Sequence, residues 1–186
     1  MSEHRGNSPS EGGVGEQFAT AYHQLLLKLH NLYRSDSQPD LTLYQQIDSL
    51  PEQLSELQEL SREEQQRIGD YLKRDLDDAA RFLIQGGSEL RDWLRFDLAL
   101  IETTLAEAFV QSVDRTRVEL QQFTDTLRQE ADSDNPVAVL WHSGEIGGIG
   151  TLVCLECGET ITFTQPLRIP NCPKCQATEF TRQSFG

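Results

Sequence analysis

Four cysteines, Cys154, Cys157, Cys172 and Cys175, form two Cys-x-x-Cys pairs with fourteen residues between them. A gap of two residues lets both sulfurs of a pair turn toward one point, and two such pairs supply a closed tetrahedral cage. With every position filled by protein, such a cage leaves no site for water or substrate. The spacing therefore predicts one structural Zn2+ ion and no catalysis at the metal. Gly158 follows the first pair and can take a positive φ, which lets backbone N–H groups face the thiolates. Pro173 pre-sets the second turn, and Gln176 stands where a second glycine would relieve strain. The same four thiolates also suit iron in a rubredoxin-like electron carrier, for which only Phe163, Phe180 and Trp141 offer an aromatic shell. Neither pair opens a thioredoxin-like unit, which weighs against a dithiol couple.

No other residues assemble a reaction centre on paper. His142 precedes the cage by twelve residues and reads as a surface histidine that fixes the turn from Trp141 to Gly150. His23 and His30 share a helix face without a carboxylate or cysteine to complete a site, so both read as solvated. Gly147-Gly148-Ile149-Gly150 precedes a strand and a knuckle instead of a helix, which excludes a dinucleotide loop. The string Asp75-Leu76-Asp77-Asp78-Ala79-Ala80 resembles the acidic coiled-coil tip of DksA-type regulators. Those proteins reach into the RNA polymerase secondary channel and also carry a cysteine zinc finger. Here the string falls inside a predicted helix, and a solvated acidic face beside Lys73, Arg74 and Arg81 accounts for it.

The elements that must carry these residues are mainly helical. Residues 1–15 read as a disordered polar leader, and residues 16–131 as an acidic helical bundle with coiled-coil-like stripes. Phe18, Tyr22, Leu25, Leu29 and Leu32 mark the first helix, with Leu26 and Tyr33 widening the stripe. Leu43, Ile47, Leu50, Leu54 and Leu57 mark the second, with a restart expected at a Ser49/Glu52 capping box near Pro51. Ser61 and Glu64 cap the third, whose buried line is Ile68, Leu72, Leu76, Ala79, Leu83 and Ile84, ending at Gly86-Gly87. A fourth helix is expected over residues 88–130 along Leu90, Leu94, Leu98, Ile101, Leu105, Phe109, Val113, Leu120 and Leu127. Unbroken, it would be about 60 Å long and would need a partner in a hairpin or bundle.

Residues 132–136 form a polar, proline-ended linker, and residues 137–186 a small β zinc ribbon. Strands are expected at Val137–Trp141, at Thr160–Thr164, where Ile161 and Phe163 alternate with threonines, and around Phe180. A glycine-rich turn spans Gly144–Gly150. The fold class is thus a long-helix hairpin or bundle followed by a C-terminal ribbon.

Charge narrows the partners. The 186 residues carry 30 acids against 16 Lys and Arg, a formal net charge of −14. Residues 1–131 hold 24 acids and 13 bases, and residues 132–186 six and three, so neither part has a basic footprint. Nucleic acid and anionic membranes should repel such a chain. Mean hydropathy is −0.49, and no apolar run is long enough to span a bilayer. Four free thiols with no apolar signal core predict a reducing, cytoplasmic location.

The stretch from Trp141-His142-Ser143-Gly144-Glu145 through Ile146-Gly147-Gly148-Ile149-Gly150 to Cys154-Leu155-Glu156-Cys157 resembles the hallmark of the YbeL-like bacterial zinc-ribbon proteins. The knuckle Cys172-Pro173-Lys174-Cys175 fits the same pattern, with Gln176 in place of the usual glycine. The resemblance implies a bacterial cytoplasmic protein whose four cysteines bind zinc. It implies no reaction, and it carries His142, Ser143 and Glu145 over only as family markers. Together the readings predict a non-enzymatic interaction scaffold or adaptor that binds protein partners or a second copy through its helices. The alternative is an RNA-polymerase-associated regulator.

Overall fold

The computed structural model describes residues 11–34, 41–53, 59–85, 89–127 and 139–182. Among the described residues five α-helices come first: α1 Glu11–Arg34, α2 Leu43–Ser49, α3 Arg62–Ile84, α4 Leu90–Leu94 and α5 Thr103–Leu127. Six short strands follow: β1 Trp141–His142, β2 Ile146–Gly147, β3 Gly150–Cys154, β4 Thr160–Phe163, β5 Leu167–Arg168 and β6 Glu179–Thr181. The three long helices pack against one another as a bundle. Their core joins Tyr22, Leu25, Leu29, Leu72, Leu76, Leu105 and Phe109 in one cluster. The 3.6-residue stripes therefore face inward, as their spacing predicts.

Helix α1 begins at Glu11, five residues before the expected start and inside the expected leader. Propensity alone disfavours a helix through three glycines. Tertiary contact overrides it: a Cβ on Gly15 would lie 2.8 Å from Arg168 Cδ, so the missing side chain lets the helix close onto β5. Helix α2 opens with a capping box between Thr42 and Gln45 that the sequence reading missed. The expected Ser49/Glu52 box does not form; Ser49 Oγ donates to the Gln46 carbonyl, and one 3-10 turn, Leu50–Gln53, follows. Leu54 and Leu57 lie outside the described residues.

The Ser61/Glu64 capping box opens α3 as predicted. Its buried line includes Ile68, Leu72, Leu76 and Ala79, but Ile84 is exposed. Gly86 and Gly87 lie outside the described residues. The expected 60 Å helix is divided. Arg95, at φ 65, ends α4 in the left-handed region, and Asp97 caps a 3-10 turn at Leu98–Leu100. Ile101 is extended, and Glu102 then accepts from the Thr104 and Leu105 N–H groups at 3.1 and 2.8 Å to start α5. Over its 25 residues α5 reaches about 38 Å. Leu94, Ile101, Leu105, Phe109 and Val113 stay buried across the break. The interruption preserves the stripe, which is why periodicity does not reveal it.

The ribbon is a four-stranded antiparallel sheet in the order β1-β6-β3-β4, with β2 and β5 paired beside it. Phe180 on β6 stands opposite Trp141 on one side and Cys154 on the other. The first strand is only Trp141–His142, shorter than expected; Val137 and the linker 132–136 lie outside the described residues. Within the expected glycine turn, Ile146 and Gly147 form a strand against Leu167–Arg168. Trp141, Leu152, Phe163, Ile169 and Phe180 make the ribbon's own core, together with Cys154 and Cys172. Ile146 and Ile149 instead join the core of the bundle, so the apolar interior runs from one part into the other.

Candidate metal centre

Two tight turns of the same design carry the four thiols. In the first, Gly158 N–H donates to the Cys154 carbonyl at 3.0 Å, with Gly158 at φ 71. In the second, Gln176 N–H donates to the Cys172 carbonyl at 2.9 Å, with Gln176 at φ 64. A side chain thus occupies the left-handed position where the other turn has glycine, which costs strain. The Gln176 amide offsets part of it by donating to the same carbonyl at 3.3 Å.

These turns bring all four Sγ atoms within 4.8 Å of one another. Cys154–Cys175 and Cys157–Cys172 each stand at 3.6 Å. A tetrahedral ion with sulfur at about 2.3 Å requires edges of about 3.8 Å, so the set matches a thiolate-bound metal. Cys154 and Cys172 are buried, Cys157 is half-buried and Cys175 is exposed.

Without a cation the thiols compete for protons. Burial raises the Cys172 thiol, but the N–H groups of Cys175 and Lys174 and its thiol neighbours outweigh that and lower it to about 7. The Ala177 N–H favours the Cys175 thiolate, yet hydrogen bonding to Cys157, burial and the other two sulfurs push Cys175 up to about 12. A divalent ion removes this conflict by stabilising all four thiolates together.

The histidines stand apart from the cage. His142 is 46% exposed, with Nδ1 3.5 Å from Glu145 and Nε2 3.9 Å from Glu179, in keeping with a surface residue on the turn. His23 lines an open cleft of about 620 Å³ with Gly15, Glu16 and Arg168. His30 departs from expectation. It is 6% exposed, and its Nδ1 lies 2.7 Å from Gln111 Oε1, because its side of α1 packs on α5.

The acidic string departs from the expected solvated face. Asp75 is not solvated; it is 0% exposed. Its carboxylate accepts hydrogen bonds from Tyr22 Oη at 3.0 Å, Trp141 Nε1 at 2.8 Å and the Gly148 N–H at 2.7 Å. Arg74 and Arg182 approach at 3.5 and 3.6 Å. Burial, then the Asp75 charge, pushes the Tyr22 phenol well above its ordinary value, so Tyr22 remains a donor. Arg182 lies between the rings of Trp93 and Trp141, its guanidinium carbon 4.2 and 5.0 Å from their centroids. It also donates to the Ile149 carbonyl at 3.1 Å. Asp78 accepts from Trp93 Nε1 at 2.8 Å, and burial raises its carboxyl above the ordinary value despite Arg182. Five residues from the helices and four from the ribbon thus close on buried charge.

Glycine is required twice here. A Cβ on Gly148 would stand 2.3 Å from Tyr22 Oη, and one on Gly150, at φ +125, would stand 2.0 Å from Arg182 Nη1. The His142-Ser143-Gly144-Glu145 segment completes the joint. Glu145 accepts from Arg74 Nη1 at 2.5 Å, while Arg74 Nη2 donates to the Ile146 carbonyl at 3.0 Å. Ser143 Oγ donates to the Pro170 carbonyl at 3.0 Å, and Gly144 N–H to the Ile169 carbonyl at 2.8 Å. One signal for this joint lay in the sequence. Asp75 falls three residues after Leu72 and four before Ala79, on the apolar face of its own helix.

Residues 30–184 match a protein family described as a zinc-ribbon containing domain. Among curated relatives, the uncharacterized protein YbeL of Escherichia coli strain K12 is 28% identical over 143 residues, spanning 75% of this chain and 83% of the relative. The YbeL proteins of Escherichia coli O6:H1 and O157:H7 match to the same extent. No solved structure matches.

Proposed function

The chain belongs to the family of zinc-ribbon containing domain proteins, and on that basis we propose that it holds one structural Zn2+ and works as a non-enzymatic adaptor for protein partners. The observation that supports this reading is the cage itself. Four thiols from one chain close a tetrahedron of the right size, so the ion's coordination is complete without solvent or substrate. The ion's role is then to fold the ribbon, which has a small core of its own. The chain's net charge of −14 favours basic protein faces over nucleic acid. Among the described residues no helix is long and apolar enough to cross a membrane. Reduced thiols at the cage fit a cytoplasmic setting.

The polymerase reading loses its sequence motive. Asp75 is spent inside the molecule, so the Asp75–Asp78 string offers no exposed acidic tip. Iron in place of zinc is distinguished by colour.

Elemental analysis of protein purified without chelators tests the metal. One zinc per chain is expected, lost in Cys175→Ser; stoichiometric iron with a charge-transfer band, or no metal, contradicts it. The adaptor role is tested by a photocrosslinking residue at Leu155, which is exposed between the first two cysteines. A discrete adduct with another protein, absent when Cys175→Ser is added, is expected. Absence of any adduct counts against the adaptor.

A further inference from the structure

The cage and the buried carboxylate are joined by one short strand. On β6, Phe180 stands opposite Cys154 and opposite Trp141. Two residues later Arg182 enters the buried site, and Trp141 donates to Asp75 from the neighbouring strand. The third ribbon contact, the Gly148 N–H, lies on the segment that leads into β3 and Cys154. Trp141 and Arg182 are therefore linked to the cage through β6, which pairs with β3 at Cys154, and Gly148 through the start of β3. On the other side, Asp75 and Tyr22 belong to α3 and α1 and touch none of the four sulfurs.

We infer that Asp75 is a positioning residue for the metal centre, so that filling the cage and closing the ribbon onto the bundle form a single linked equilibrium. The inference rests on the reading that the cage binds zinc. With the ion present, β6 holds Arg182 and Trp141 against the carboxylate. Without it, those donors withdraw, and a buried charge left with Tyr22 and Arg74 favours opening of the joint. Metal release thereby uncovers the face of the bundle that carries Tyr22, Asp75 and Trp93. Linkage is reciprocal: the factor by which the closed joint tightens metal binding is the factor by which bound metal favours the closed joint.

The test is zinc affinity of the full chain, measured by competition with a chromogenic chelator. Asp75→Asn keeps the shape and removes the charge; it should weaken zinc at least tenfold. Tyr22→Phe deletes a single hydroxyl, is the safer variant if Asp75→Asn does not fold, and should weaken zinc severalfold. Val113→Ala loosens the bundle core on α5 away from the joint and should leave affinity within twofold. Wild-type affinity in a folded Asp75→Asn or Tyr22→Phe protein overturns the link. So does an equal loss in Val113→Ala, which would reduce the effect to general destabilisation. Should the wild type bind no zinc, the metal reading itself fails; should it bind zinc and all variants match it, only the link fails.

Discussion

The cage and the Asp75 joint are both sites of concentrated charge, yet they are built in opposite ways. The cage uses four residues of one kind within a short stretch of chain, and its geometry follows from two local turns. The joint uses Tyr22, Asp75, Trp93, Trp141, Gly148 and Arg182, drawn from across the chain and each ordinary by itself. The cage needs an external cation to balance its thiolates, whereas the joint carries its own two guanidinium groups. The difference teaches where each is vulnerable. Metal removal attacks the first, and a single side-chain change inside the protein attacks the second.

Three substitutions sharpen this contrast. Asp75→Ala should have the largest effect, because it strands Arg182 and Arg74 in a dry site; about 3–5 kcal/mol of stability should be lost in urea titration. A loss below about 1 kcal/mol would mean that the joint contributes specificity without stability. Gly148→Ala should follow at about 1–3 kcal/mol, since its methyl group meets Tyr22 and Asp75, and Tyr22→Phe in the same chain should recover part of the loss.

Asp78→Asn should have the smallest effect and shows as pH dependence. Burial holds the folded Asp78 carboxyl above its ordinary value, against the pull of Arg182. Between the unfolded and the raised folded value, the native chain keeps a proton that the unfolded chain has released. Asp78 therefore makes stability fall as pH rises from about 4 through the folded value, above which its contribution levels off. Asp78→Asn should remove that descending limb from thermal melts across the same range, while an unchanged profile would assign it to another carboxyl.

Much of this was open to a reader of the sequence. The Cys-x-x-Cys pairs predict one cage because their geometry is local, and the stripes of α1, α3 and α5 predict buried faces because helical period maps directly onto packing. The break at Arg95–Glu102 was hidden because the apolar stripe continues across it. The early start of α1 was hidden because its cause, the Arg168 side chain against Gly15, lies more than a hundred residues away. Asp75 was misread because acids at helical spacing usually face water. Its position on the apolar face was a clue, but its partners Trp141, Gly148 and Arg182 could be supplied only by the fold.

Amide hydrogen exchange with and without a chelator bears most directly on the idea that metal and helices share one folded body. Removing the metal should speed exchange in residues 141–182 and also in α3 around Leu72–Ala79 and in α1 around Tyr22. Loss of protection confined to the ribbon, with α1 and α3 unchanged, would contradict it.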